Sequence, residues 1–245
     1  MPHRGASAGH SDSAKWPACV LFDFDGVLVH SEPLHYRAFR ETAREVKIDL
    51  TEGVYYEQLI GFDDRGAWKH LFELNGRQLD APTLLKLMAR KGALMRDLIF
   101  RRQYHALPGV EEFVRGLWRD TPLAIVSGAL RDEIEAMLEG IALRDCFGVI
   151  VAAEDVDVGK PDPRGYVKAM HELAARAHRK FEPSQCLIVE DAPQVIHTAK
   201  QVGFKTLGVA TTYFADRLSE ADYVVKSLRP EEVLTQIPKL KLLQA

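Results

Sequence analysis

The chain has 245 residues, 47% of them hydrophobic, enough for one large domain or for a core carrying an inserted smaller one. Its 32 basic and 35 acidic residues leave a net charge of -3, so no overall field favours nucleic acid or an anionic membrane. No apolar run approaches the roughly 20 residues that cross a bilayer, and the N-terminus lacks the apolar centre of a secretory signal, so a cytoplasmic protein is expected.

Residues 1–14, rich in Gly, Ser, Ala and His, have too little apolar content to pack and read as a flexible lead-in. Ala18 to Phe22 then form an apolar run fit for a buried strand, followed at once by Asp23 to Glu32, DFDGVLVHSE. Asp23 and Asp25 fall where that strand ends, and Gly26 lets the backbone turn sharply out of the sheet. Taken alone, the pair is either a strand-end turn bonding its own backbone or the start of a catalytic site.

From His35 to about His105 the pattern is helical throughout. Apolar stripes recur at Ala67, Trp68, Leu71 and Phe72, and again at Leu84, Leu87, Met88, Leu94, Met95 and Leu98. The stripes are expected to form the core of an inserted cap spanning 34–105, hinged at Ser31 to Leu34 and at Gln103 to Gly109, where the patterns change and prolines stand.

After Pro108, apolar runs alternate with helical segments: Leu123 to Val126, Gly148 to Ala152, Cys186 to Val189, Thr206 to Val209 and Tyr223 to Val225. Strands separated by helices imply a parallel sheet, so 15–33 and 106–245 are expected to form a doubly wound, Rossmann-like α/β core. Val110 to Trp118 reads as one helix, and Asp162-Pro163 as the N-cap and first residue of another. The segment after Pro230 reads as a short helix with a solvated basic tail, Lys239 and Lys241. Cys19, Cys146 and Cys186 lack metal-ligand spacing and read as buried, reduced thiols.

Three further features sit at predicted strand ends: Ser127-Gly128, Lys160 within GKPDP, and Glu190-Asp191. Strands of a parallel sheet end on one edge, so these groups are expected to converge with Asp23 and Asp25 in one crevice. Four carboxylates there repel one another and any anionic substrate. A hard divalent cation relieves this, and magnesium takes oxygen ligands while keeping positions for water and phosphate. Lys160 adds the remaining positive charge.

These motifs, in this order over nearly the whole chain, resemble the haloacid dehalogenase superfamily, in its phosphotransferase branch with a helical cap after the first motif. The resemblance implies a magnesium-dependent phosphatase of a small phosphorylated metabolite. Asp23 is then the nucleophile that forms an aspartyl phosphate, and Asp25 the acid and base, its neutral form favoured by neighbouring carboxylates. Ser127 and the Gly128 amide hold phosphoryl oxygens, Lys160 neutralises charge, Gly26 belongs to the substrate loop, and Asp23, the Asp25 carbonyl and Asp191 hold the metal, with Glu190 beside it or bridged by water. Dehalogenating relatives lack an aspartate at the Asp25 position, and phosphonate-cleaving ones carry alanine there, so Asp25 implies phosphate-ester chemistry. His30, Ala192 and Val195 depart from the pattern without removing a catalytic group.

The segment SEPLHYRAF resembles that of β-phosphoglucomutases and related phosphatases, which places His35 near the leaving group and Arg65 on a cap loop that carries an arginine in the mutases. Ile60 stands where the mutase carries a phosphate-binding lysine. Arg65 and Arg131 are the candidate replacements. The expected substrate is a phosphorylated sugar or hydroxy acid, the rival reaction is β-phosphoglucomutase-type isomerisation, and a non-catalytic phospho-ligand binder is the alternative from another class. A monomer or weak dimer without nucleic-acid or membrane partners is expected.

Overall fold

A computed structural model describes residues 16–60 and 62–242; the predicted lead-in, 1–14, lies outside the described residues. Six parallel strands form one sheet: β1 (Cys19–Phe22), β2 (Leu123–Val126), β3 (Val149–Val151), β4 (Cys186–Glu190), β5 (Lys205–Val209) and β6 (Tyr223–Val225), in the order β3-β2-β1-β4-β5-β6. The helices are α1 (Glu32–Glu45), α2 (Glu52–Val54), α3 (Asp64–Leu74), α4 (Ala81–Phe100), α5 (Val110–Trp118), α6 (Arg131–Gly140), α7 (Arg164–Arg176), α8 (Pro193–Val202) and α9 (Pro230–Gln236). A wide π-helical turn, Tyr55–Leu59, continues α2. Among the described residues no helix is long and apolar enough to cross a membrane.

Because side chains alternate along a strand, one apolar run supplies two cores. Val20 and Phe22 of β1 join Ile125, Leu187 and Val189 in a cluster with Phe113 and Leu117 of α5 and Ile134 and Met137 of α6. Cys19 and Leu21 join Val126, Val151 and Ile188 in a second cluster with Tyr166, Met170 and Leu173 of α7 and Val195 and Ala199 of α8. Both faces of β1 and β4 are therefore sealed, as continuous hydrophobic strands require. Cys19 and Cys186 lie side by side in the β1–β4 register, and all three cysteines are buried and unbridged.

A third cluster is confined to the helical block and holds Phe39, Tyr55, Leu59, Trp68, Leu71, Phe72, Leu84 and Leu87. The expectation that both apolar stripes form this cap core is corrected at the second one. Leu94, Met95 and Leu98 pack instead with the main core cluster. The reason is length: at about 1.5 Å per residue the 20 residues of α4 span about 30 Å, enough to run from the cap core onto α6. Asp63 and Asp80 start α3 and α4 by accepting hydrogen bonds from Gly66 N and Thr83 N, each at 2.7 Å.

The two chain crossings between helical block and sheet run together. His30 N donates to His105 O and Leu107 N to Leu28 O, each at 3.0 Å. The first predicted hinge, Ser31 to Leu34, is already the start of α1, with Pro33 in its first turn. Helix α7 starts one residue later than expected, at Arg164, whose amide bonds Asp162 Oδ1 at 2.9 Å. The basic tail is not solvated along its length: Ile237 and Leu240 are buried, and Lys239 Nζ stands 4.0 Å from the centre of the Trp16 ring.

Candidate active site

The carboxyl ends of β1, β2 and β4 bring the predicted groups together. Asp23 and Asp25 leave β1, Ser127 leaves β2, Glu190 ends β4 and Asp191 follows it. Lys160 comes from the loop between β3 and α7, and its Nζ donates to Asp23 Oδ1 and, at 2.8 Å, to Glu190 Oε1. Ser127 Oγ is 3.4 Å from Asp25 Oδ2. Gly26, at φ +79°, is required twice over: L-residues avoid that backbone region, and a Cβ there would lie 2.2 Å from Asp191 Oδ2. No described group accepts a hydrogen bond from the backbone N–H of Asp25 or of Gly128, so both remain available to an anion.

Asp23, Glu190 and Asp191 are buried, and each offers an oxygen within 4.8 Å of the others'. Burial first, then Glu190 and Asp25, push the Asp23 carboxyl up to about 7 against the pull of Lys160. Burial, Glu190 and Asp23 likewise hold Asp191 well above the ordinary range. One lysine therefore does not balance the carboxylates, and the donor set is all oxygen with neither histidine nor cysteine. A hard divalent cation fits this cluster in charge and in donor type. Glu190 is the member with the fewest free positions: Oε1 also accepts from Tyr166 at 3.1 Å, and Oε2 accepts from the amides of Asp191 and Ala192 at 2.8 and 2.7 Å. That pattern suits an anchor of Lys160 and of the turn that follows β4.

Asp25 differs from the sequence-based expectation of a neutral carboxyl. Burial alone would raise it, but His35, Ser31 and Lys160 together hold it below its usual range. Ser31 Oγ donates to Asp25 Oδ1, and His35 Nε2 lies 3.8 Å from the same oxygen, an ion-pair distance. Burial and Lys91 depress the His35 imidazole, but Asp25 and Glu32 outweigh them and raise it.

Behind His35 stands a residue that sequence reasoning did not single out. Lys91 of α4 is buried, its Nζ lying 2.9 Å from His35 Nδ1 and 2.8 Å from Asp64 Oδ1. Asp25, His35, Lys91 and Asp64 thus form one chain of polar contacts, two basic groups between two carboxylates, from the turn after β1 into the cap. The one available signal was a lysine on the apolar stripe that also holds Leu84, Leu87, Met95 and Leu98. Tyr166 and Thr212 were missed as well. Thr212 bonds Asp191, and its loop neighbour Thr211 donates to the carbonyl of Gly26.

The two arginines proposed for a second anion are placed elsewhere. Arg131 donates to the Ile150 carbonyl at 2.9 Å and pairs with Asp155, so its guanidinium is committed to the end of β3. Arg65 is exposed on α3, and it is the adjacent Asp64 that reaches Lys91.

The sequence profile of haloacid dehalogenase-like hydrolases matches residues 20–209. The validoxylamine A 7'-phosphate phosphatase of Streptomyces hygroscopicus subsp. limoneus is 32% identical over 223 residues, covering 85% of this chain and 93% of that protein. The fructose-1-phosphate phosphatase YqaB of Escherichia coli (strain K12) is 27% identical over 197 residues, covering 78% of this chain and 96% of that one. In structure, CbbY from Rhodobacter sphaeroides in complex with phosphate superposes with a TM-score of 0.78 at 22% identity, covering 91% of this chain and 98% of that chain, a likeness of fold. With more than half its length matched by the profile and its strand-end groups converged at one edge, the chain belongs to the haloacid dehalogenase-like hydrolases.

Proposed function

We propose that the protein is a magnesium-dependent phosphatase that releases phosphate from a small phosphorylated sugar or hydroxy acid by way of an aspartyl phosphate on Asp23. The observation that carries this reading is the convergence of Asp23, Asp25, Lys160 and Asp191 at one sheet edge, with Lys160 bonded to Asp23. Asp23 and Asp191, with the carbonyl of Asp25, would hold the magnesium ion. Once bound, it neutralises charge on the phosphoryl oxygens and on the carboxylates that hold it.

The carboxylate of Asp23 attacks phosphorus, the bond to the leaving oxygen breaks, and that oxygen takes a proton from the Asp25–His35 pair. Water then attacks the aspartyl phosphate, Asp25 accepts its proton, and phosphate departs. Ser127 Oγ and the free amide of Gly128 bind phosphoryl oxygens, and Lys160 balances their charge. The helical block 34–105 acts as a cap that covers the crevice and excludes water during the first transfer.

The mutase alternative needs a cation opposite the catalytic centre to hold a second phosphate. Arg131 is paired with Asp155 and Lys91 with Asp64, so the phosphatase reading is preferred. Hydrolysis of p-nitrophenyl phosphate with and without magnesium, by wild type and Asp23→Asn, tests the proposal. Equal rates for the two proteins would overturn it and leave the non-catalytic binder.

A further inference from the structure

The two chain crossings between helical block and sheet meet at a pair of histidines that the proposed reaction does not use. Val29 and Ala106 bridge in antiparallel register, and His30 N donates to His105 O at 3.0 Å, so residues 30 and 105 stand directly opposite one another. Side chains so opposed project from one face of the pair, with Cβ atoms about 5 Å apart. The two imidazole rings accordingly lie with their centres 5.2 Å apart and their planes at 50°. Both residues are exposed, and no ring nitrogen of either has a hydrogen-bond or ion-pair partner among the described residues.

That spacing is the one a shared metal ion requires. A tetrahedral zinc ion holds imidazole nitrogens at about 2.0–2.1 Å, and two rings on it then have their centres about 5 Å apart. Because both side chains are exposed, each ring can turn about its last torsion to aim a nitrogen inward. A ligating imidazole must be neutral. Partial burial first, and then His105, lower the proton affinity of His30 against the opposing pull of Glu32, which favours the neutral ring. Imidazole nitrogen suits transition ions, whereas magnesium takes oxygen, so the pair differs in donor type from the cluster of Asp23, Glu190 and Asp191.

We propose that His30 and His105 form a second metal site, for a divalent transition ion such as zinc, that ties together the two crossings on which the helical block is carried. Two protein ligands leave the remaining positions to water, so the ion is exchangeable and not a structural one. Its donors come from the crossings alone, so the ion acts as a clamp on those connections, and the inference is independent of the phosphatase reading.

Calorimetric titration of zinc into the full chain, with magnesium in excess, tests this. Magnesium competes for the oxygen cluster, and any zinc that still binds there does so equally in wild type, His30→Asn and His105→Asn. Wild type should hold one zinc ion about a hundredfold more tightly than either variant, because each variant loses one arm of the chelate. In wild type, one equivalent of zinc should also shift the imidazole NMR signals of both residues. Equal zinc affinity in wild type and either variant overturns the proposal, as does a shift of only one of the two imidazoles or of neither.

Discussion

Replacing Lys91 by Met removes a buried cation, takes from Asp64 its ion-pair partner and leaves the buried Glu133 with His35 alone of the two positive groups that lower it. At 2.8 Å the gross attraction between Lys91 and Asp64 is about 6 kcal/mol with an effective dielectric of about 20. Much of this is offset by desolvation of the lysine, and the Asp64 side chain is 35% exposed, so water screens it further. The expected coupling is about 1–3 kcal/mol, between the values for surface and buried pairs. Urea unfolding of wild type, Lys91→Met, Asp64→Asn and the double variant measures it as a cycle. In parallel, kcat for p-nitrophenyl phosphate should fall about tenfold to a hundredfold, because His35 loses the group that fixes its Nδ1 side beside Asp25. Additive single-variant effects, within about 0.5 kcal/mol, would refute the coupling of Lys91 to Asp64.

Three other outcomes are expected. Asp191→Asn should raise the melting temperature of the metal-free protein near pH 7, because it relieves a buried carboxyl whose affinity for protons burial and Glu190 have raised. The same change should abolish the stabilisation that added magnesium is expected to give wild type, about 2.7 kcal/mol at a hundredfold excess over Kd; no rise in the metal-free melting temperature would refute the crowding of the carboxylates. Gly26→Ala should lose most activity, since its Cβ would meet Asp191 Oδ2 at 2.2 Å and the residue sits at φ +79°, and normal kcat in a folded variant would refute that contact. Asp222 is held below its usual range: burial opposes this, but Lys205, the Thr206 amide and Lys200 outweigh it. Its stabilisation is therefore present above the ordinary Asp value near about 3.9 and is lost as pH falls through the folded value. Asp222→Asn should cost about 1–2 kcal/mol at pH 7 and progressively less in acid, read from urea midpoints across pH; a penalty independent of pH would count against the ion pairs.

What was legible in the sequence is what a strand can carry by itself. Ala18 to Phe22 and Cys186 to Val189 announce buried strands because every position is apolar, and Asp23, Ser127 and Asp191 announce chemistry because a charged or hydroxyl group follows such a run immediately. Parallel pairing then places all of them on one edge without further information. The cap carries no such grammar. Lys91, Asp64, Tyr55 and Glu32 lie on different turns or helices, and they meet only because α4 is long enough to leave the cap core and because the π-helical turn at Tyr55–Leu59 brings that phenol to Glu32. Helical periodicity says which face is buried and not what it is buried against, so Lys91 reads as one polar residue on an apolar stripe. Arg131 is a similar case, because its pairing with Asp155, from the segment after β3, cannot be read from either position alone. The convergence of strand-end groups, set by backbone order, can thus be read from a single chain, whereas the contacts inside the cap depend on pairings that several helices make at a distance in sequence.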